Sequence, residues 1–113
     1  MTRKELEEEL RLSEGDPQVR SRQRQRQRQI ALGSMLKAVE QADVVVTNPV
    51  HVAVALRYEA EKMSAPVIVA RGAGETAERI KRVAREHRVP IVRNEALARG
   101  LFSRGNVGQE VPP

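Results

Sequence analysis

Apolar positions follow two different periods along this chain. In residues 1–13, Leu6 and Leu10 stand four apart among charged residues, which predicts a short helix that Gly15, Asp16 and Pro17 interrupt. Leu32, Met35, Leu36 and Val39 then recur at helical spacing, and those four would dock a helix on a core. From residue 43 the pattern changes. Asp43-Val44-Val45-Val46 predicts a buried strand, closed by Thr47-Asn48-Pro49, a composition that favours a turn. Beyond the turn, Val50, Val52, Val54, Leu56 and Tyr58 share one parity and His51, Ala53, Ala55 and Arg57 the other, predicting a strand with a bulky buried face and a small face that carries His51.

After a loop at residues 59–64, a third strand is predicted over residues 66–70, followed by Arg71-Gly72-Ala73-Gly74. Ala77, Ile80, Val83 and Ala84 then fit a helix whose Glu75 and Glu78 stand four residues before Arg79 and Arg82. Residues 89–93 predict a fourth strand and residues 95–102 a last short helix. Strand, helix and strand at this spacing form a βαβ unit, so at least one strand pair is expected to be parallel. The pattern amounts to an α/β fold, a small mixed four-stranded sheet flanked by helices, with a long basic N-terminal arm. It divides the chain into a polar, Arg-rich arm at residues 1–37, an α/β domain at 38–104 and a flexible tail at 105–113.

Charge sharpens the picture of the arm. The chain carries 20 Lys and Arg against 15 Asp and Glu, for a net charge of +5. Residues 17–37 contain no acidic residue, and Arg20, Arg22, Arg24, Arg26 and Arg28 alternate with Ser and Gln. Arginines two apart advance about 200° on a helix, so they fall on two opposite sides and make no single stripe. A solvated helix and a disordered arm both fit this composition. So do two roles, a solubilising linker and a cationic segment for phosphate, anionic lipid or acidic protein. Sequence-specific nucleic-acid recognition usually adds aromatic stacking, and the chain has only Tyr58 and Phe102, so nucleic acid is not the expected partner.

Composition excludes several chemistries. There is no Cys and no Trp, which removes disulfides, thiol nucleophiles and Cys-based metal sites, and no metal or cofactor is expected. No apolar run approaches the roughly 18 residues of a membrane span. Gly72-Ala73-Gly74 lies between a strand and a helix, where main-chain N–H groups can cradle phosphate. It lacks the third glycine of the dinucleotide fingerprint and the Lys-Ser/Thr of a P-loop, and Glu75 would repel an anion, so it reads as a flexible turn. His87, near a basic helix end, is assigned no role. Lys62, Arg79, Lys81, Arg82, Arg85 and Arg88 outline a basic face, which is a partner surface or simply solvated.

Asn48-Pro49-Val50-His51 carries the candidate chemistry. Asn ordinarily deamidates when the next main-chain nitrogen attacks its side-chain carbonyl, and proline has no N–H to do so. The opposite attack remains open. The Asn48 side-chain nitrogen adds to its own main-chain carbonyl, closes a five-membered succinimide and expels the Pro49 nitrogen, breaking the chain. The amide is a poor nucleophile and the leaving amine must gain a proton, so the step needs a turn that holds the groups at near-attack geometry. His51 is placed to carry that proton, since imidazole ordinarily titrates near neutrality. Taken as a dipeptide, Asn-Pro is also an ordinary turn. A conventional enzyme with a diffusible substrate is not expected, because His51 has no evident carboxylate partner or nucleophile.

The stretch from Ala42 through Asn48-Pro49-Val50-His51 to Tyr58 resembles the cleavage region of the FlhB/YscU family, the export-switch proteins of flagellar and type III secretion systems. The likeness extends to Lys62-Met63-Ser64-Ala65-Pro66, Ala84-Arg85-Glu86-His87, Val89-Pro90-Ile91-Val92, Leu97-Ala98-Arg99, Gly15-Asp16-Pro17 and Val107-Gly108-Gln109-Glu110. The resemblance implies the cytoplasmic domain of a bacterial inner-membrane export component, lying at the cytoplasmic face of that membrane and acting in substrate-specificity switching. It implies single-turnover self-cleavage between Asn48, the cyclising residue, and Pro49, the new N-terminus, with His51 as the motif histidine. Val50 departs from the threonine usual there and removes a hydroxyl that could shape the turn. The implied partners are other export-apparatus proteins, export substrates and a switch or ruler protein. The five arginines become a linker suited to an anionic cytoplasmic leaflet. The alternative, from the residues alone, is a small basic module that binds nucleic acid or an anionic surface through those arginines.

Overall fold

The computed structural model describes residues 16–49 and 51–113, and the helix expected in residues 1–13 lies outside them. The chain divides into two units at Leu32/Gly33. Within the described residues the first unit is the leading part of helix α1, Pro17–Val39. Asp16 and Pro17 begin this helix. The Asp16 side chain accepts from the Gln18 N–H at 2.8 Å, its carbonyl accepts from the Arg20 N–H at 2.9 Å, and Pro17 follows at the first helical position, where no N–H is needed. Arg20, Arg22, Arg24, Arg26 and Arg28 are therefore helical, and all are exposed.

The second unit holds the sheet. Strands β1 (Val44–Asn48), β2 (Val52–Arg57), β3 (Val67–Ala73) and β4 (Ile91–Arg93) stand in the order β3-β2-β1-β4. β1 pairs antiparallel with β2 and β2 with β3, while β1 and β4 are parallel. The expected parallel pair exists, but β4 does not lie beside β3. Helix α2 (Gly74–Glu86) carries the chain from one edge of the sheet to the other, and β4 joins β1. Helix α3 (Glu95–Arg104) follows.

Both faces of the sheet are buried, whereas the sequence pattern suggested one. Val46, Val52, Val54 and Ile68 pack with Ala98 and Leu101 of α3 and with Leu56 and Phe102. On the other side, Val45, Ala53, Ala55 and Ala70 meet Ala77, Ile80 and Ala84 of α2, together with Met35, Leu36 and Val39 of α1. Ala53 and Ala55 look like a weak face in the sequence because they are small. Their small size lets a helix lie close, and neither is exposed to solvent. The first strand of the hairpin is secured at its open end, where the Asp43 carboxylate accepts from the Tyr58 N–H at 2.6 Å.

Two further boundaries differ from expectation. β3 continues through Gly72 and Ala73, because both are paired to β2, so the predicted Gly-Ala-Gly turn is mostly strand. Residues after α3, which show no apolar pattern, run antiparallel along β3. Ile68 N–H donates to the Gln109 carbonyl at 2.9 Å, Gly108 N–H to the Ile68 carbonyl at 2.7 Å, and Val111 N–H to the Pro66 carbonyl at 2.8 Å. Main-chain pairing of this kind leaves little trace in side-chain pattern.

Candidate functional site

Asn48 ends β1 opposite Val52 of β2, so Pro49 and His51 lie at the tip of the β1–β2 hairpin. Val50, the motif departure, lies outside the described residues. The His51 N–H donates to the Asn48 carbonyl oxygen at 3.1 Å, closing the turn. That oxygen belongs to the bond predicted to break. Asn48 is 7% exposed and the preceding Thr47 is 4% exposed, while Pro49 and His51 face solvent. A buried asparagine thus meets an exposed proline and histidine within one turn.

The tip is held from both sides by helix beginnings. Asn94 donates its N–H to the Thr47 carbonyl at 3.0 Å. Asn94 is also the N-cap of α3, and its side chain accepts from the Leu97 N–H at 3.1 Å. On the other side, Gly74, the first residue of α2, donates its N–H to the His51 carbonyl at 3.1 Å. N-terminal ends of helices carry partial positive charge, so two of them beside the turn favour charge that develops on a carbonyl oxygen there. Glu95, in the first turn of α3, accepts from Arg93 at 2.9 Å, and that hydrogen bond and the guanidinium charge hold its carboxyl below the usual range.

The structure brings Asn48, Pro49 and His51 into one turn, and His51 lies in that turn just before β2, which begins at Val52. The contact between His51 and the Asn48 carbonyl is made by the main chain, which a motif of side chains does not reveal. Asn94 and Gly74 were not assigned to this site from the sequence. The Asn94-Glu95 pair is a recognisable helix start, and Gly74 was visible only as part of a Gly-Ala-Gly segment. The predicted basic face is partly offset by neighbouring acids: on α2, Lys81 lies 2.6 Å from Glu78 and Arg79 3.4 Å from Glu75, and in the loop before β3, Lys62 lies 3.5 Å from Glu59. Lys81 donates a hydrogen bond to Glu78 and so lowers its carboxyl from the ordinary value. His87 is exposed at the C-terminal end of α2. Its Nδ1 is 3.1 Å from the Val83 carbonyl and its Nε2 3.4 Å from Glu40. Among the described residues, no group of three or more His, Asp or Glu could hold a metal ion, and no helix is long and apolar enough to cross a membrane.

A hairpin ending in Asn-Pro, on a mixed four-stranded sheet between helices, defines a recognisable class of domain. The sequence matches the FlhB HrpN YscU SpaS family over residues 1–113, and the chain belongs to that family. It is 49% identical over 112 residues to the flagellar biosynthetic protein FlhB of Yersinia enterocolitica, covering 99% of this chain and 29% of that protein. With the FlhB of Aquifex aeolicus the identity is 45% over 113 residues, covering all of this chain and 32% of that protein. The chain therefore spans about three tenths of the length of these curated relatives. The fold matches the crystal structure of the cytoplasmic domain of FlhB from Shewanella putrefaciens with a TM-score of 0.69 and 36% identity, over 72% of this chain and 62% of that one. It also matches the C-terminal domain of EscU carrying an asparagine-to-alanine mutation, with a TM-score of 0.68 and 26% identity, over 72% of this chain and 81% of that one.

Proposed function

We propose that this chain is the cytoplasmic part of a flagellar-type protein-export component, and that it cuts itself between Asn48 and Pro49. The observation that carries the chemistry is the 3.1 Å hydrogen bond from the His51 N–H to the Asn48 carbonyl oxygen, in a turn where the leaving nitrogen belongs to proline. Attack of Asn48 Nδ2 on its own carbonyl carbon puts negative charge on that oxygen, and the N–H already points at it. The carbon–nitrogen bond to Pro49 then breaks. The proline nitrogen gains a proton, for which the exposed His51 ring is the carrier, and the side-chain nitrogen loses one as the succinimide closes. Water later opens the ring at the new C-terminus.

The two products should stay together. Residues 44–48 pair with residues 52–56 across the break, and both flanking strands contribute to both buried layers. Cleavage then remodels the hairpin tip and leaves the fold, which suits a local switch of export substrate class. Names of the relatives favour a flagellar setting, and the partners proposed are other export-apparatus proteins, export substrates and a switch or ruler protein, at the cytoplasmic face of the inner membrane. Intact-mass analysis tests the reading. Wild-type chain ageing at neutral pH should yield fragments ending at Asn48 and beginning at Pro49, and Asn48→Ala should stay whole. A wild-type chain that stays whole would defeat the cleavage.

The exposed helix bearing five arginines also supports contact with an anionic surface. Binding to anionic vesicles or nucleic acid at low salt, lost on deleting residues 18–29, would support that second reading.

A further inference from the structure

We infer that Gly74 is a positioning residue for the scissile turn, clamping His51 so that its N–H stays on the Asn48 carbonyl oxygen. This rests on the reading that the Asn48–Pro49 bond is the one cut. His51 is fixed at both ends of its main chain: its N–H is given to Asn48 and its carbonyl receives the Gly74 N–H, each at 3.1 Å. The second bond ties His51 to α2, an element outside the hairpin, whereas its N–H bond to Asn48 lies within the turn itself.

The identity of residue 74 is what makes the second bond possible. Gly74 has φ +56°, in the left-handed region, and α2 begins at that same residue. The chain therefore presents an N–H to the hairpin and turns at once into a helix, a reversal that an L-residue with a side chain makes only at a cost. Gly72 serves the same junction. It pairs with Ala53, two residues beyond His51, and a Cβ on it would overlap the Thr76 side chain. Its bare backbone lets the first turn of α2 sit against the sheet close to the scissile tip. The Gly72-Ala73-Gly74 segment, too poor for a phosphate loop, thus has a use as the seat of the clamp.

The test compares variants in two measurements. The first is the cleavage rate by intact mass at a temperature where circular dichroism shows each variant folded. The second is hydrogen exchange of the His51 amide in the uncleavable Asn48→Ala background. Gly74→Pro removes the N–H and cannot take a positive φ, and should slow cleavage about tenfold, the scale expected for misplaced reacting groups, and speed His51 exchange. Gly74→Asn keeps the N–H and tolerates the left-handed conformation, and should cleave close to the wild-type rate. Should Gly74→Pro fail to fold, Gly74→Val takes its place, since a β-branched residue resists this φ. A folded Gly74→Pro or Gly74→Val with wild-type cleavage and unchanged His51 exchange overturns the inference. A wild-type chain that never cleaves would instead defeat the proposed function, and the exchange comparison would still decide whether the clamp exists.

Discussion

The main-chain N–H of His51 donates to the carbonyl oxygen of Asn48 across 3.1 Å, so in the proposed cleavage His51 has a backbone part beside the one proposed for its ring. The two contributions are separable, because substitution of the side chain leaves the N–H in place.

Replacing His51 with alanine should slow cleavage by about 10²-fold or more, the usual share of a positioned proton carrier, while the hairpin stays formed. Added imidazole should restore part of the rate. Cleavage of His51→Ala at the wild-type rate would show that the ring takes no part.

In the proposed cleavage, Pro49 decides which carbonyl is attacked. In Pro49→Ala the new N–H reopens attack on the Asn48 side chain, and the expected product is amide-to-acid conversion at residue 48 in an unbroken chain. Mass spectrometry of the aged variant distinguishes the two. A chain break at the wild-type rate would mean that proline is not needed to block the competing route.

Arg71 offers a control on stability. It donates to the carbonyl of Phe102 at 2.5 Å and to that of Gly105 at 3.0 Å, and its guanidinium stands 5.0 Å from the centre of the Phe102 ring. It thereby satisfies carbonyls at the end of α3, where the helix leaves acceptors without intrahelical donors. Arg71→Leu should cost roughly 1–3 kcal/mol in denaturant unfolding, the penalty for leaving part-buried acceptors without a partner. At a temperature where it remains folded, its cleavage should match the wild type. Slowed cleavage in the folded variant would show that the α3 packing also shapes the turn.

Much of this architecture is legible in the residues. Alternation from Val52 to Leu56 marks β2, the spacing of Ala77, Ile80 and Ala84 marks α2, and Thr47-Asn48-Pro49 marks the turn between β1 and β2. Other parts are set by through-space pairing that a linear pattern does not record. The β4 partner is β1 and not β3 because α2 spans the sheet. Asp16-Pro17 looks like an interruption, yet the same residues are what starts α1, since an aspartate cap and a proline at the first position suit a helix as well as a break. Bond chemistry singles out the Asn-Pro pair as a candidate, and the family resemblance is what gives it a role beyond an ordinary turn. Its supports, Asn94 and Gly74, come from positions more than twenty residues away and reveal themselves only when the helices are seated.

The identity of the first product from the residue 1–48 half tests the cyclisation most directly. Rapid mass analysis of that fragment as it appears should find it lighter by one water than the hydrolysis product, as a C-terminal succinimide requires, and gaining that water on standing. A fragment carrying the full hydrolysed mass from its first appearance, in every buffer that would preserve the ring, would contradict the account.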